Sequence, residues 1–133
     1  MHKITRNPTL TSDQLNRLFE ISWRGHQDRD FLPILERSLA YVGAFSSDQL
    51  VGFVNVAWDG GRHGFILDVT VHPENRRMGI ATDLLKGALA AARDGNLEWL
   101  HVDFDPEYED LYRKAGYSPT AAGLIRVSSF DAG

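Results

Sequence analysis

Arg76, Arg77, Gly79, Ala81 and Thr82 are the residues whose types and spacing point most directly to chemistry. They follow a β-branched run, Leu67-Asp68-Val69-Thr70-Val71, and precede an apolar pattern of helical period. The first amide hydrogens of a helix have no partner inside it, and with the helix dipole they favour an anion at that end. Gly79 lets the anion approach the backbone, and small Ala81 avoids crowding it. Thr82 adds a hydroxyl donor, and the arginine pair adds charge suited to a small anion with several phosphates. Taken alone, R-x-x-G-x-A also describes an ordinary helix start with a glycine in it. Neither a Gly-Lys-Ser/Thr phosphate loop nor a G-x-G-x-x-G fingerprint is present.

The elements that must position this turn follow from periodicity. Thr11-Ser12-Asp13 can cap a helix that carries Leu15, Leu18, Phe19, Ile21 and Trp23 and ends near Gly25. A second helix is expected over Asp30–Ser38, with Pro33 tolerated in its first turn. Tyr41–Phe45 and Leu50–Trp58 read as a hairpin, and Phe65–Val71 reads as a third antiparallel strand stopped by Pro73. The period then changes to about 3.6, with Ile80, Leu84, Leu85, Ala88, Leu89 and Ala92 on one stripe ended by Gly95. Leu97–Phe104 reads as a strand, Pro106–Ala115 as a helix with Asp105 as N-cap, and Tyr117–Val127 as a final hairpin. The order predicts an α/β (α+β) fold, a mixed sheet with a strand–helix–strand crossover at its centre.

No repeat or linker divides the 133 residues, so a single domain over 1–133 is expected. The absence of cysteine excludes disulfides and thiolate metal sites, and no metal is required. The N-terminus lacks a signal-like apolar run and no stretch approaches a membrane span, so a cytoplasmic protein with no membrane partner is expected. A net charge of −4 argues against a nucleic-acid partner.

Introduced by Val71-His72-Pro73-Glu74-Asn75-Arg76, the turn closely resembles the acetyl-coenzyme A motif of the GNAT superfamily of N-acetyltransferases, and a small enzyme of bacterial type is expected. Leu111-Tyr112 followed by Gly116-Tyr117 resembles a second signature of that family, independent of the first. The resemblance implies the GNAT fold: six to seven strands, about four helices, and splayed central strands. It implies that backbone amides of Arg77, Met78, Gly79, Ile80, Ala81 and Thr82 hold the pyrophosphate of acetyl-CoA beside Arg76. It also implies that Val69, Thr70 and Val71 hydrogen-bond the pantetheine arm, in the gap beside Leu97–Phe104.

Acetyl transfer needs a neutral amine and a protonated leaving thiol. By position Tyr112 matches the family tyrosine that acts as general acid near the thioester sulfur, and a phenol arrives protonated at neutral pH. Asp68 is the candidate base, on the strand where family members often carry an acidic residue working through water. His63, His72, His101, Asp103 and Asp105 are rivals. Two positions depart from the family pattern: Asp105 replaces an asparagine and Tyr108 replaces a small alanine. Trp23, His26, Phe31, Trp58 and Asp103 are expected to line the acceptor pocket, and Asp103 with Asp105 would favour a cationic amine. The expected acceptor is a primary amine on a small molecule, less readily a peptide or protein. A coenzyme A-binding module without turnover is the reading from another class. A symmetric homodimer is common in the family, although no segment marks an interface.

Overall fold

The computed structural model describes residues 1–129 and divides the chain into two compact units, Met1–Val102 and the residues from Asp103 onward. The span expected to form one domain continues to 133, and residues 130–133 lie outside the described residues.

The first unit holds a five-stranded sheet in sequential order: β1 (Lys3–Arg6), β2 (Ala40–Ser46), β3 (Gln49–Trp58), β4 (His63–Val71) and β5 (Trp99–His101). The first four strands are antiparallel, and β5 joins β4 in parallel. Three helices complete the unit: α1 (Ser12–Ser22), α2 (Leu32–Arg37) and α3 (Ile80–Asp94). Thr11 caps α1 in a capping box, its hydroxyl accepting from the Gln14 amide while the Gln14 side chain accepts from the Thr11 amide.

The apolar stripe of α3 packs on β1 to β4. A Cβ on Gly52 would stand 2.9 Å from Ile80 Cγ2 and 3.1 Å from Leu84 Cδ1, so the helix lies directly on the strand there. Near α1 and α2, Leu15, Leu18, Phe19, Phe31 and Leu35 form a second buried cluster with Leu50 and Phe53. At roughly 25 cal/mol per Å² of apolar area, burying each of these large side chains contributes about 1.5–3 kcal/mol.

β1 was not expected from the sequence, because four residues carry too little periodicity to be seen. Tertiary ties hold it instead: Arg6 Nη1 donates to Asp94 Oδ2 on α3 at 2.7 Å. The third strand begins at His63 rather than Phe65. The strand expected over Leu97–Phe104 shortens to three residues, because β4 supplies ladder partners only at His63, Gly64 and Phe65.

In the second unit the helix expected over Pro106–Ala115 is divided into a single 3₁₀ turn, Pro106–Tyr108, and α4 (Glu109–Lys114). The side chain of Asp105 makes no capping hydrogen bond. Tyr117–Val127 forms no hairpin, and no strand follows β5 among the described residues. The sheet therefore has five strands where six to seven were expected.

Candidate active site

The turn entering α3 is built from two left-handed residues. Arg77 has φ +64° and Gly79, the N-cap of α3, has φ +78°. This curls the backbone so that its amides face outward rather than into a ladder. Among the described residues, no backbone amide from Arg76 to Thr82 donates to another protein group. The N-cap supplies no side-chain acceptor either. A Cβ placed on Gly79 would meet nothing within 4 Å, so the space above the amides is open. Unsatisfied donors at the positive end of a 15-residue helix form an anion cradle. Arg76, Arg77, Met78 and Thr82 are exposed at its rim, whereas Ile80 is buried and anchors the helix to the sheet.

The strand leading into the turn carries an irregularity. Phe53 pairs with Thr70 and Asn55 pairs with Leu67, so one residue of β3 opposes two of β4, a bulge at Asp68 and Val69. Asp68 has φ +58°, a conformation that aspartate tolerates better than most side chains. Solvent reaches Asp68, yet the protein around it withdraws enough water to push its carboxyl above the usual value, with Arg29 opposing that shift. Thr70 is 4% exposed, so any contact it makes with a ligand on this edge runs through its backbone.

Beyond Phe65, β4 has no partner on its β5 side among the described residues, so its backbone from Ile66 to Val71 makes no strand pairing with them there. The bulge, the unpaired edge and the open cradle follow one another along the chain.

The acceptor candidates divide. Trp23 stacks on Phe19 with centroids 4.1 Å apart, and Phe31 is buried beside it. His26 directs Nε2 to Asn16 Oδ1 at 2.9 Å, with its side chain buried. These three hold the α1 region together as a packed aromatic group. Trp58 is 38% exposed and pairs with Gly64, four residues along β3 from the point opposite the bulge. The structure does not bring it to Asp68.

The rival histidines have other occupations. His72 is buried, and its Nδ1 accepts from the Glu74 amide at 3.1 Å, which shapes the turn. His63 Nδ1 and His101 Nε2 lie 2.8 Å apart across the β4–β5 pairing, with Phe65 stacked on His101.

In the second unit Tyr112 is buried and stacks on Phe104 at 4.6 Å, with Tyr117 edge-on at 5.8 Å. Burial, then the charges of Asp103 and Tyr108, push its phenol above the ordinary value. The charge of Asp103 is thus felt at Tyr112, while Asp105 is exposed at the start of the 3₁₀ turn.

Residues 10–117 match the family described as acetyltransferase (GNAT) family. The chain belongs to that family. An uncharacterized N-acetyltransferase, ycf52, of Porphyra purpurea is 28% identical over 79 residues, which cover 59% of this chain and 45% of that protein. The GNAT fold is shared with an acetyltransferase of Streptococcus pneumoniae at TM-score 0.81 and 22% identity, over 95% of this chain and 97% of the other. It is shared too with AAC(6')-Iy, solved with the bisubstrate analog CoA-S-monomethyl-acetylneamine, at TM-score 0.74 and 18% identity over 95% and 97%. Among the described residues no helix is long and apolar enough to cross a membrane.

Two features of the structure were hidden from the sequence. Asn16 is 8% exposed and bonds both backbone groups of Arg29, and its signal was a polar side chain within the apolar pattern of α1. The left-handed backbone of Asp68 and Arg77 left no signal, because neither position is glycine.

Proposed function

We propose that the protein transfers the acetyl group of acetyl-coenzyme A to a primary amine of a small molecule. The observation that carries this reading is the run of undonated amides from Arg76 to Thr82 beside the unpaired edge of β4. The cradle suits a pyrophosphate, with Arg76 and Arg77 at its rim, and the edge offers backbone groups of Val69, Thr70 and Val71 to the amide-bearing pantetheine arm. That AAC(6')-Iy was solved with a coenzyme A conjugate supports the same donor.

The donor supplies an activated acetyl thioester. An amine acceptor arrives largely protonated at neutral pH and must lose one proton before its nitrogen can attack. Asp68, with its carboxyl pushed above the usual range, accepts that proton directly or through water. As the new N–C bond forms and the C–S bond breaks, nitrogen sheds its remaining excess proton to solvent. Tyr112 donates its phenolic proton to the departing sulfur and regains one from water. Because burial holds the Tyr112 proton beyond the ordinary phenol range, the acid form is the one present at neutral pH. The sum is amine plus acetyl-coenzyme A giving acetamide plus the free thiol.

Calorimetry with acetyl-coenzyme A, followed by thiol release across an amine panel, tests the proposal. Binding with acceptor-dependent thiol release is expected. Tight binding with no release under any amine would instead identify a coenzyme A-binding module, and no binding would remove the cradle assignment.

A further inference from the structure

The parallel pair β4–β5 has two unlike faces. Along β4, Gly64 and Ile66 are buried, and Ile66 pairs with Val56 on the side of β3 where Gly52 meets Ile80 and Leu84 of α3. The alternate positions His63, Phe65 and Leu67 are exposed. The register sets two exposed residues of β5 beside them, Trp99 opposite His63 and His101 opposite Phe65. Phe65, Leu67 and Trp99 are 38%, 40% and 59% exposed. Parallel strands are ordinarily buried on both faces, and a sheet face left open to water is ordinarily polar. Here three large apolar side chains and two imidazoles make one continuous open face.

The face is held in shape by its own contacts. His63 Nδ1 and His101 Nε2 share a hydrogen bond at 2.8 Å, and the Phe65 ring stacks on that of His101 with centroids 4.8 Å and planes 20° apart. On this side of the sheet α1 packs on β3 and β4 and covers Phe53, whose ring meets Phe19 at 5.9 Å, yet it leaves Phe65 and Leu67 open.

Size and position say what fits there. Four residue rises make the face about 13 Å long, and with the two strands about 4.8 Å apart its area is on the order of 100 Å². A stable protein partner buries about 800 Å² on each side. The face is therefore the size of a small molecule. One end of it is fixed by the chain: Asp68 follows Leu67 directly, at the bulge, where β4 has already lost its pairing with β5.

We propose that this face seats the body of the acceptor, and that the acceptor is a primary amine tethered to an apolar aromatic ring rather than to a polyhydroxylated sugar. This deepens the acetyltransferase reading and rests on it. A ring resting between Phe65 and Leu67 lies about 7 Å along the strand from Asp68, which leaves room for a tether of two or three carbons to bring the amine to the carboxylate. Sugar hydroxyls would lose water on Phe65 and Leu67 without gaining hydrogen bonds, and one nitrogen of each imidazole is already taken by the other. Because the hydrogen bond and the stack order the face in advance, little freedom is lost when the ring docks.

The test compares 2-phenylethylamine, propylamine and glucosamine as acceptors in thiol release from acetyl-coenzyme A. The expected kcat/KM for 2-phenylethylamine is at least about tenfold above that of either other amine. Phe65→Ser and Leu67→Ser raise its KM about tenfold with little change in kcat. Trp99→Ser, at the most exposed of the three positions, raises it in the same direction with the least risk to folding. Trp58→Ser is the control: Trp58 is also 38% exposed but pairs with Gly64, on the opposite face, and its loss leaves that KM unchanged. Calorimetry with acetyl-coenzyme A on each variant shows that the donor site is intact. Equal kcat/KM for 2-phenylethylamine and propylamine overturns the proposal, and so does a KM that responds no more to Phe65→Ser and Trp99→Ser than to Trp58→Ser. Calorimetry of the two amines on the protein saturated with coenzyme A reads the face without turnover, and equal affinities there overturn it too. A dimer in light scattering that Trp99→Ser separates at unchanged KM gives the face to a second copy and overturns it as well. Failure of acetyl-coenzyme A itself to bind is a different result and removes the parent reading.

Discussion

Thr70 Oγ1 donates a 2.9 Å hydrogen bond to the backbone carbonyl of Asp68, two residues earlier, and so braces the bulge of β4 with a buried side chain. The left-handed backbone of Asp68 is locally unfavourable, and a satisfied hydroxyl next to it helps the strand hold that shape. Thr70→Val keeps the volume and removes the bond. The expected loss is about 1 kcal/mol, or roughly 3–5 °C in Tm, together with a raised KM for acetyl-coenzyme A. Thermal melts and thiol-release kinetics on the same preparation check both. An unchanged KM in a destabilised variant would restrict the hydroxyl to a structural role.

The raised pKa of Asp68 fixes the sign of a pH effect. A base works only when deprotonated, so kcat/KM falls as pH drops through a value above 3.8, the ordinary carboxylate figure. Arg29 lowers that value, and Arg29→Gln therefore moves the acid limb to higher pH. Asp68→Asn tolerates the same left-handed backbone, so it should fold normally while losing on the order of a hundredfold in kcat. The pH–rate profiles of the three proteins decide this. Coincident limbs in the parent and Arg29→Gln would separate Arg29 from Asp68.

Tyr117 has a buried hydroxyl with no hydrogen-bond partner among the described residues, and burial followed by Tyr112 pushes its pKa up to about 12. The folded state holds this proton more tightly than the unfolded chain. Its contribution is therefore complete below the ordinary value near 10 and is lost as pH rises from 10 to about 12. Tyr117→Phe removes both the orphaned donor and the titration. Equal or slightly greater stability at neutral pH is expected, with a shallower fall above pH 10. Denaturant melts at neutral and alkaline pH measure the difference.

The strength of the local signal separates what the sequence disclosed from what it hid. The α3 stripe and its glycine turn were legible because 15 residues of regular period and an adjacent loop need no distant contact to be recognised. β1 and the shortened β5 are four and three residues long, and their limits depend on neighbouring strands rather than on their own composition. Tyr117–Val127 has apolar residues at strand-like spacing, yet Leu124, Ile125 and Val127 are exposed. Composition alone did not confer a pairing partner. At the site, the residue types were readable, but the bulge at Asp68 and the clamp of Asn16 on Arg29 exist only after the elements have packed.

Gly79 and Gly60 provide a controlled pair. Both have positive φ, +78° and +82°, and a Cβ on either meets nothing within 4 Å. Alanine at each position costs about 1–2 kcal/mol of backbone strain and produces no clash. Only Gly79 borders the undonated amides. Gly79→Ala should therefore weaken acetyl-coenzyme A binding at least about tenfold, whereas Gly60→Ala should lose similar stability at unchanged affinity. Calorimetric Kd values beside melting curves make the comparison, and parallel losses of affinity would take the cradle away from Gly79.

Gly52 links the core to the cradle. Its Cβ position is 2.9 Å from Ile80 Cγ2, 3.1 Å from Leu84 Cδ1 and 3.1 Å from the Ala44 Cβ, so alanine there must push the first turn of α3 away from β3. Overpacking of this kind costs about 1–3 kcal/mol. The displaced turn also contains the amides of Ile80, Ala81 and Thr82, so affinity should fall although no ligand-facing atom has changed. Gly87, farther along α3, provides the contrast: a Cβ there stands 3.2 Å from Val42 Cγ1, and a small side-chain adjustment accommodates it. Gly52→Ala is expected to lower both Tm and acetyl-coenzyme A affinity, and Gly87→Ala, which gains helix propensity inside α3, to leave affinity unchanged and Tm unchanged or slightly raised. If Gly52→Ala melts early but binds acetyl-coenzyme A as tightly as the parent, the helix start does not set the positions of the binding groups.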